Sequence, residues 1–389
     1  MWNQRTDRIR ERYREFREWS ALAKAETGKN VVAQLREIRA LREAGGQCGL
    51  SDYYWYKLYD DSYQMGRGAP DFLGWRLQQK FSMALNPRNA VLPAWDKLAF
   101  MLLAGAAGLP VAPIRAYYHR AKLGGAVLGE HLPTPAAAAA FVRDPGNYPL
   151  FAKPAYSQQG YGSEYLSSYD RSTDTLTLLN GETIPVDEFL LRLEQSVDPR
   201  YHRPECGFVF QEPLRVAPEI SALTDWSAIC GVRVICLNGA EGVKPIMALW
   251  KIAVRPNHVD NFSLGKYGNL RAYIDLETGS ISRVVSNLWP KAAVCDVHPQ
   301  SGKHLEGFRL PGWDKLIGAC KSGGEIFPLM RIQYWDFALT SNGPLMLELN
   351  DLGGTIGEQI HGYGLLTEEV RAFLRRYANP LAHPWVTKL

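Results

Sequence analysis

Between residues 111 and about 360, short apolar runs alternate with turn-forming residues, and this pattern constrains the fold more than any other feature of the chain. The runs include PLFAKP, GFVFQEPL, GVRVICL, MALWKIAV, LRAYIDL and PLMLELN, each bounded by Gly, Pro, Asn or Asp. Runs of this length and composition are typical of β-strands. Segments with helical periodicity lie between them at 134–142, 185–195 and 311–322, and another at 367–377 follows. The pattern predicts a mixed α+β fold.

Helical periodicity also marks the first 44 residues, where apolar side chains recur three to four positions apart on both sides of Gly28. Residues 1–45 contain eleven Lys/Arg and seven Asp/Glu, whereas the net charge of the whole chain is only +4. Interleaved opposite charges favour a solvated helix face over a surface for nucleic acid or membranes. We expect a helical N-terminal region at 1–85 and two α+β subdomains at 86–212 and 213–389.

Size and composition agree with several packed units. The chain has 389 residues, of which 46% are hydrophobic and 22% charged, as in a folded globular protein. Its six cysteines include no C-x-x-C pair, which favours free thiols in a reducing compartment. No stretch approaches the roughly 18 uncharged apolar residues of a membrane span. We expect a cytoplasmic protein that binds no nucleic acid.

The first candidate site lies in WDFALTSNGPLMLELN, where two strands flank an Asn-Gly turn. Glu348 and Asn350 are two positions apart, so they point to one face of their strand, and Asp336 can face the same way from the partner strand. Carboxylate and amide oxygens in this arrangement suit Mg²⁺ that also binds phosphate. The alternative is the polar edge of a solvated hairpin.

The second candidate is Lys153 in PLFAKP, together with the AYSQQGYGS segment that follows it. A loop with glycines and polar side chains can cover phosphates with backbone N–H groups, while the ammonium offsets their charge. The sequence contains no Walker A motif. The alternative is an exposed lysine at the end of a strand.

The third candidate combines the strand exit FVFQEPL with two cations inside apolar strands. Backbone groups near Gln211 can hydrogen-bond a purine edge. Arg233 in GVRVICL and Lys251 in ALWKIAV would be costly to bury unless an anion met them. That anion is either a phosphate or a carboxylate of the protein itself.

In this order, the pieces resemble the ATP-grasp superfamily, and specifically its sugar-transfer-associated family, found among genes for surface polysaccharide or glycoconjugate synthesis. The resemblance extends from about residue 51 to residue 364. It includes GLSDYYWYKLY, WDKLAF, AKP, FQEPL, GVRVICL, VDNFSLG, YIDLETG, HPQSG, GFRLPGW and DFALTSNGPLMLELN. It implies the ATP-grasp fold, in which two α+β subdomains clasp ATP, preceded here by the helical N-terminal region.

The resemblance also implies roles for matching residues. Arg233, Lys251 and Lys153 would act in catalysis, and Arg233 would face the γ-phosphate or the acyl phosphate formed from it. The implied ligands of Mg²⁺, for two ions, are Asp336, Glu348 and Asn350. The implied ATP contacts are Lys97 and Lys153 at the phosphates, Gln158, Gln159, Gly160 and Gly162 in the covering loop, Gln211, Glu212 and Leu214 in the adenine hinge, and Glu219 at the ribose.

ATP-grasp enzymes typically phosphorylate a carboxylate and pass the acyl phosphate to an amine. The resemblance therefore implies a carboxylate–amine ligase whose partners are small molecules, with an amino acid or amino sugar as the amine. Two alternatives stay open, namely a kinase or phosphotransferase on the same scaffold and a non-catalytic nucleotide-binding partner of a glycosyltransferase. A homodimer is also left open. The histidines show no zinc-site spacing, so we expect His258, His298 and His361 to serve in loops or packing, with the latter two as reserve bases.

Two segments depart from the family pattern. The loop SQQGYG after Lys153 contains fewer glycines than usual, and GKYGNL at 265–270 stands where a GG turn is expected. Lys266 and Tyr267 lie near the expected entry of the acceptor. We therefore expect the protein's own specificity to reside there.

Overall fold

A computed structural model describes residues 2–65, 68–123, 128–156, 162–195, 207–257 and 260–389. The helices in these ranges are α1 (Trp2–Thr27), α2 (Val31–Glu43), α3 (Leu50–Trp55), α4 (Gln78–Leu85), α5 (Leu92–Trp95), α6 (Lys97–Ala106), α7 (Pro135–Val142), α8 (Val186–Gln195), α9 (Pro218–Thr224), α10 (Trp313–Ile326), α11 (Thr355–Gln359) and α12 (Glu368–Tyr377). Short 3₁₀ turns connect several of them.

The strands are β1 (Ile114–Tyr118), β2 (Glu130–Leu132), β3 (Leu150–Pro154), β4 (Glu164–Asp170), β5 (Thr175–Leu178), β6 (Thr183–Pro185), β7 (Phe208–Gln211), β8 (Gly231–Gly239), β9 (Gly242–Ile252), β10 (Leu270–Ile274), β11 (Ile281–Val285), β12 (Ile332–Thr340) and β13 (Gly343–Asn350). All six apolar runs fall on strands, so the predicted α+β class is confirmed.

Local signals set most of the helix boundaries. Thr134 accepts a hydrogen bond from the Ala137 backbone at the start of α7, and Thr367 does the same for α12. The helix predicted at 311–322 begins later and extends further, as α10. Gly312, with φ of 70°, precedes it, and this left-handed conformation delays the first helical residue to Trp313.

The first sheet has the strand order β2-β1-β7-β3-β4-β5-β6. One of its faces packs against α7 and α8 through buried residues such as Phe141 and Phe189. Lys153 and Val209 are paired across β3 and β7, and they share the opposite face. Val209 belongs to the core shared with the second sheet, so Lys153 points toward that sheet.

The second sheet has the strand order β11-β10-β9-β8-β12-β13, and neighbouring strands are antiparallel. On β8, the side chains of Val232 and Val234 enter the core with α6 and α10. Ile235 and Leu237 enter a second core with α4 and α12 on the other face. Because side chains alternate along a strand, Arg233 lies on the face of the second core.

Two short connections bring the sheets together. After β7, the chain crosses to β12, where the Ala217 N–H bonds to the Leu339 carbonyl at 3.0 Å and the Ser341 N–H to the Arg215 carbonyl at 3.0 Å. At the start of α6, the Lys97 N–H donates to the Ala155 carbonyl at 3.1 Å, just beyond β3. This contact holds Lys97 near Lys153.

The N-terminal helices pack onto the body of the protein. Their core contains several tyrosines, including Tyr54 and Tyr63, and it also includes Trp289 and Ile360 from the C-terminal part. Tyr63 Oη donates to the Ile360 carbonyl at 2.9 Å, and Trp289 Nε1 donates to the same oxygen at 3.1 Å. The N-terminal region therefore packs against the end of α11.

Within the described ranges, no helix combines the length and the apolar composition needed to cross a membrane.

The Gln359 side chain ties the N-terminal region to α11. Its Oε1 accepts from the Leu73 N–H at 2.8 Å and the Leu365 N–H at 3.0 Å. Its Nε2 donates to the Leu73 carbonyl at 2.8 Å and the Thr355 carbonyl at 3.2 Å. The amide is fully buried, so these four bonds complete the hydrogen bonding of the local backbone.

We expect Gln359→Met, which nearly conserves volume, to lower the free energy of unfolding by about 2–4 kcal/mol, because several buried backbone groups lose their partner. Urea denaturation followed by tryptophan fluorescence measures this change. Glu306→Gln, at an exposed position, is the control and should change stability by less than about 0.5 kcal/mol. Equal effects of the two substitutions would contradict the role of the amide.

Candidate functional site

Asp336 on β12 lies on the same face of the second sheet as Arg233 and is the centre of a cluster of charged side chains there. In register, it is opposite Arg233 on β8 and Glu348 on β13. Arg233 Nε donates to Oδ1 at 2.8 Å and Arg233 Nη2 to Oδ2 at 2.6 Å. With Asp336 only 3% exposed, this is a buried two-bond ion pair.

Lys251 on β9 adds a second cation, with Nζ 3.3 Å from Asp336 Oδ2. Burial alone would raise the pKa of Asp336, but Arg233 and Lys251 outweigh it and hold that pKa well below its usual range. Burial likewise works against the charge of Arg233, and Asp336 more than compensates, so the pKa of Arg233 is raised. Arg233 and Lys251, predicted to meet either a phosphate or a carboxylate, therefore meet a carboxylate in this structure.

Glu348 and Asn350 lie beside Asp336, as the spacing predicted. Asn350 Nδ2 is 3.1 Å from Glu348 Oε1 and 3.5 Å from Asp336 Oδ2. A β-bulge at Leu347 separates two pairings in the ladder, Asp336 with Glu348 and Phe337 with Met346. The strands meet at the predicted hairpin, whose loop is Ser341 and Asn342, with Gly343 at φ of 102° opening β13.

These three side chains fit a Mg²⁺ site in donor type. Two carboxylates and one amide converge within hydrogen-bond distance, and such oxygens suit Mg²⁺ when phosphate and water complete its shell. Turning the Asn350 amide by half a rotation would present its Oδ1 in place of Nδ2. Among the described residues no group of three His, Cys, Asp or Glu could hold a metal, so the site depends on the amide and on added ligands.

Lys153 on β3 and Lys97 at the start of α6 lie near this cluster. Burial and the neighbouring charge of Lys97 lower the pKa of Lys153 to about 8, although Glu348 opposes the shift. Burial also lowers the pKa of Lys97, again against the attraction of Glu348. The positive charges of Lys97 and Lys153 therefore repel each other, and the negative charge of Glu348 attracts both.

The predicted adenine hinge lies where the chain leaves β7 for β12. Gln211 is buried, and its Nε2 donates to the Ala112 carbonyl at 3.2 Å. The Glu212 carboxylate is bound by Arg115, at 2.7 Å from Nη2, so its side chain is already engaged. The groups that remain for a ligand there are backbone atoms of the segment that includes Leu214.

The remaining predicted ATP contacts are less closely defined. Glu219 is exposed in the first turn of α9. Gly162, the last residue of the covering loop, has φ of 71°, a conformation that favours glycine. Gln158, Gln159 and Gly160 lie outside the described residues.

The two reserve bases are both buried. Burial lowers the pKa of His361 to about 3, and its Nε2 lies 2.8 Å from the Arg271 carbonyl. Burial also lowers the pKa of His298, whose Nδ1 is 3.4 Å from the Ser301 N–H in its own loop. The burial of both side chains agrees with packing roles. His258 lies outside the described residues.

Lys266 and Tyr267, which replace the expected GG turn, are exposed on a tight loop. Lys266 Nζ lies 5.3 Å from the centre of the Tyr267 ring. The turn itself is formed by left-handed residues, including Leu264 at φ of 58° and Gly265 at φ of 84°. The loop is therefore compact despite its sequence.

Two charged residues at the site were not predicted. Arg271 on β10 is paired with Lys251 across the ladder, and its Nη1 lies 3.9 Å from Glu358 Oε1. Glu358 on α11 also lies 3.7 Å from Arg233 Nη1. Arg271 carries the same signal as Arg233, a cation inside an apolar strand. Glu358 has no comparable local signal in the Gly-rich segment around it.

Removing the Asp336 carboxylate should leave two buried cations without their partner. We expect Asp336→Ala to lower the free energy of unfolding by about 3–5 kcal/mol. The matched control is Asp314→Ala, which breaks an Arg–Asp pair at the surface, 3.0 Å from Arg309, and should cost less than about 1 kcal/mol. Chemical denaturation of both variants measures the difference, and a cost at Asp336 no larger than at Asp314 would contradict this assignment.

Comparisons with known proteins identify the family of the chain. The sequence profile described as "Sugar-transfer associated ATP-grasp" matches residues 76–373, a range that includes every described site residue from Lys97 to Glu358. A search of curated protein sequences gave no match.

Solved structures similar to this one include three named as ligases or synthetases. They are the L-amino acid ligase from Bacillus licheniformis (9% identity, TM-score 0.38, 73% of this chain and 48% of that chain), the VanG D-Ala:D-Ser ligase from Enterococcus faecalis (11%, 0.37, 72% and 63%) and the D-alanyl-alanine synthetase A from Vibrio cholerae (12%, 0.38, 78% and 67%). This chain spans 48% and 63% of the first two. The profile match over residues 76–373 covers more than half of the chain and shows its family: the chain belongs to the sugar-transfer-associated ATP-grasp family.

Proposed function

We propose that this protein is an ATP-dependent carboxylate–amine ligase, which activates a small carboxylate as an acyl phosphate and couples it to an amine. The observation that carries the proposal is the convergence of cations from both sheets on one oxygen-rich cluster. The negative charge of Glu348 acts on Lys153 in the first sheet and on Lys97 at the start of α6, while Arg233 and Lys251 bind Asp336 within the second sheet. A triphosphate with its metal requires this combination of charges.

In the proposed complex, the phosphates lie between the two lysines and the second sheet. Lys153 is buried and Lys97 is partly buried, and the pKa of each is lowered, so an anion between them would offset the cost of their charge. Adenine would lie against the backbone of the hinge after Gln211, and Glu219 would approach the ribose. The loop at 158–162 would cover the phosphates.

Mg²⁺, as two ions, would be held by Asp336, Glu348 and Asn350. When bound, it neutralises phosphate charge and polarises the phosphoryl group for transfer. Asp336 would exchange some of its bonds to Arg233 and Lys251 for this purpose. Arg233 and Lys251 would then lie beside the phosphate oxygens that bind Mg²⁺, so both positive charges would remain in the site.

Transfer of the γ-phosphoryl group to a substrate carboxylate gives an acyl phosphate and ADP. The amine then attacks the acyl carbon, phosphate leaves, and an amide forms. Arg233 and Lys251 stabilise the negative charge on the transferring group, and positioning supplies the rest, so no Ser-His-Asp triad is required. The buried histidines at 298 and 361 agree with this scheme, because the reaction assigns them no proton.

The proposed substrates are small, with an amino acid or amino sugar as the amine, in glycoconjugate, polysaccharide or natural-product biosynthesis. A kinase on the same scaffold would instead leave the phosphate on its product. A non-catalytic nucleotide-binding partner of a glycosyltransferase would bind ATP without turnover. The paired carboxylates and the amide at 336, 348 and 350 favour a metal-dependent reaction over that last alternative.

The first experiment incubates the protein with ATP, Mg²⁺ and pools of carboxylic acids, amino acids and amino sugars. The ligase releases ADP and phosphate only with both substrates present, and mass spectrometry identifies the amide. We expect Glu348→Ala to lower ADP release by about 100-fold, because one metal ligand is lost, with Glu306→Gln as the unaffected control. A stable phosphorylated product would indicate the kinase.

We expect the affinity for ATP to depend on pH through Lys153. The pKa of Lys153 is about 8 in the free protein, and bound phosphate raises it. Binding therefore takes up a proton above that pH, and ATP affinity should be level below it and fall by up to about tenfold per pH unit above it.

Lys153→Arg keeps its charge throughout this range and should remove the decline. Calorimetric titration with ATP from about pH 7 to about pH 9.5 gives the two profiles. Identical declines in both proteins would contradict a phosphate contact by Lys153.

A further inference from the structure

Glu358 is a buried carboxylate without hydrogen-bond donors. It is 1% exposed, and neither Oε1 nor Oε2 has a hydrogen-bond partner among the described residues. The nearby cations stand off, with Arg233 Nη1 at 3.7 Å and Arg271 Nη1 at 3.9 Å from Oε1. Burying a carboxylate that accepts no hydrogen bond costs folding free energy, so a function of this side chain would explain its position.

Arg271 is the fixed member of the group. Its guanidinium lies over the Phe262 ring, 5.5 Å from the centroid. It also lies against the backbone of Gly357, where an added Cβ would be only 2.2 Å from Nη1. The ring on one side and the peptide on the other hold Arg271 in place beside Glu358.

Arg233 is shared between two carboxylates. Its Nε and Nη2 are bonded to Asp336, and its remaining nitrogen, Nη1, is directed toward Glu358. Closing that gap to a normal hydrogen bond needs a movement of only about 1 Å. The guanidinium therefore has one engaged partner and a second within reach.

We propose that Glu358 is the alternative partner of Arg233, and that Arg233 transfers from Asp336 to Glu358 when a divalent cation binds Asp336. The inference rests on the proposed function, because it assumes that Asp336 is a metal ligand. Metal and Arg233 compete for the same carboxylate oxygens. A guanidinium displaced into a buried site without a carboxylate would be strongly unfavourable, and Glu358 removes that obstacle.

Glu358 is thus a positioning residue for the reaction. It lets Asp336 change partners while Arg233 stays charged, buried and directed toward the phosphates. Metal binding at Asp336 and the movement of Arg233 to Glu358 are then coupled, because a change in one equilibrium shifts the other.

The test measures binding of a non-hydrolysable ATP analogue, adenylyl imidodiphosphate, to the full chain at increasing Mg²⁺ and in EDTA. We expect Glu358→Gln to raise the Mg²⁺ concentration for half-maximal binding by about tenfold or more. Binding in EDTA should change by less than about twofold, which also shows that the variant is folded. An unchanged Mg²⁺ requirement would overturn the proposal.

Glu358→Asp separates partner exchange from simple attraction between charges. Aspartate keeps the charge but is one methylene shorter, so it cannot reach Arg233. We expect it to raise the Mg²⁺ requirement as Glu358→Gln does. Wild-type behaviour of Glu358→Asp would mean that the charge alone matters, and the exchange would be refuted. Should Glu358→Gln not fold, Glu358→Asp alone carries the test.

A double-mutant cycle with Arg233→Gln gives an independent check. Without the guanidinium there is nothing to exchange, so adding Glu358→Gln to Arg233→Gln should leave the Mg²⁺ requirement unchanged. An equal effect of Glu358→Gln in both backgrounds would overturn the proposal. If the wild-type protein shows no Mg²⁺-dependent binding at all, the proposed function itself fails. If it does and the Glu358 variants match it, only the exchange fails.

Discussion

The ion pair between Asp336 and Arg233 is the interaction on which the rest of the site depends. The two residues are directly opposite each other on the central strands β12 and β8, so a shift of either strand by one residue would turn a charge into the apolar core. Burial makes both charges costly alone and strongly attractive together. The same pair therefore fixes the register of the sheet and sets the electrostatics of the face that we propose binds phosphate.

Neither sheet forms the site without the other. The first contributes Lys153 and, through the contact between α6 and β3, Lys97, whereas the second contributes the carboxylates. The short crossing from β7 to β12 keeps the two together, and it is the same segment that we propose binds adenine. The N-terminal region also supports the site, because Tyr63 donates a hydrogen bond to the carbonyl of Ile360, next to Gln359, as Trp289 does. Both sheets, α6 and the N-terminal region thus contribute to the position of the cluster.

The sequence predicted those features that depend on neighbouring residues. The strands and the helical segments follow from local periodicity, and the grouping of Asp336, Glu348 and Asn350 follows from alternation along two strands joined by a short turn. The pairing of Arg233 with Asp336 could not be predicted, because the order of strands in a sheet is not encoded locally. The sequence did not predict Glu358 as a site residue for a related reason. Its burial depends on α11 being held by Gln359 to Leu73, a residue distant in the chain, and the surrounding glycines resemble an ordinary loop.

The occupied state of Asp336 has a kinetic consequence. Its oxygens are already neutralised by Arg233 and Lys251, so a free divalent cation arriving from solution meets repulsion from two positive groups and gains little. A metal that arrives already complexed to a nucleotide brings compensating negative charge for those same groups. If Asp336 binds the metal as proposed, this arrangement favours an order of addition in which metal and nucleotide enter together, and it disfavours binding of a free cation.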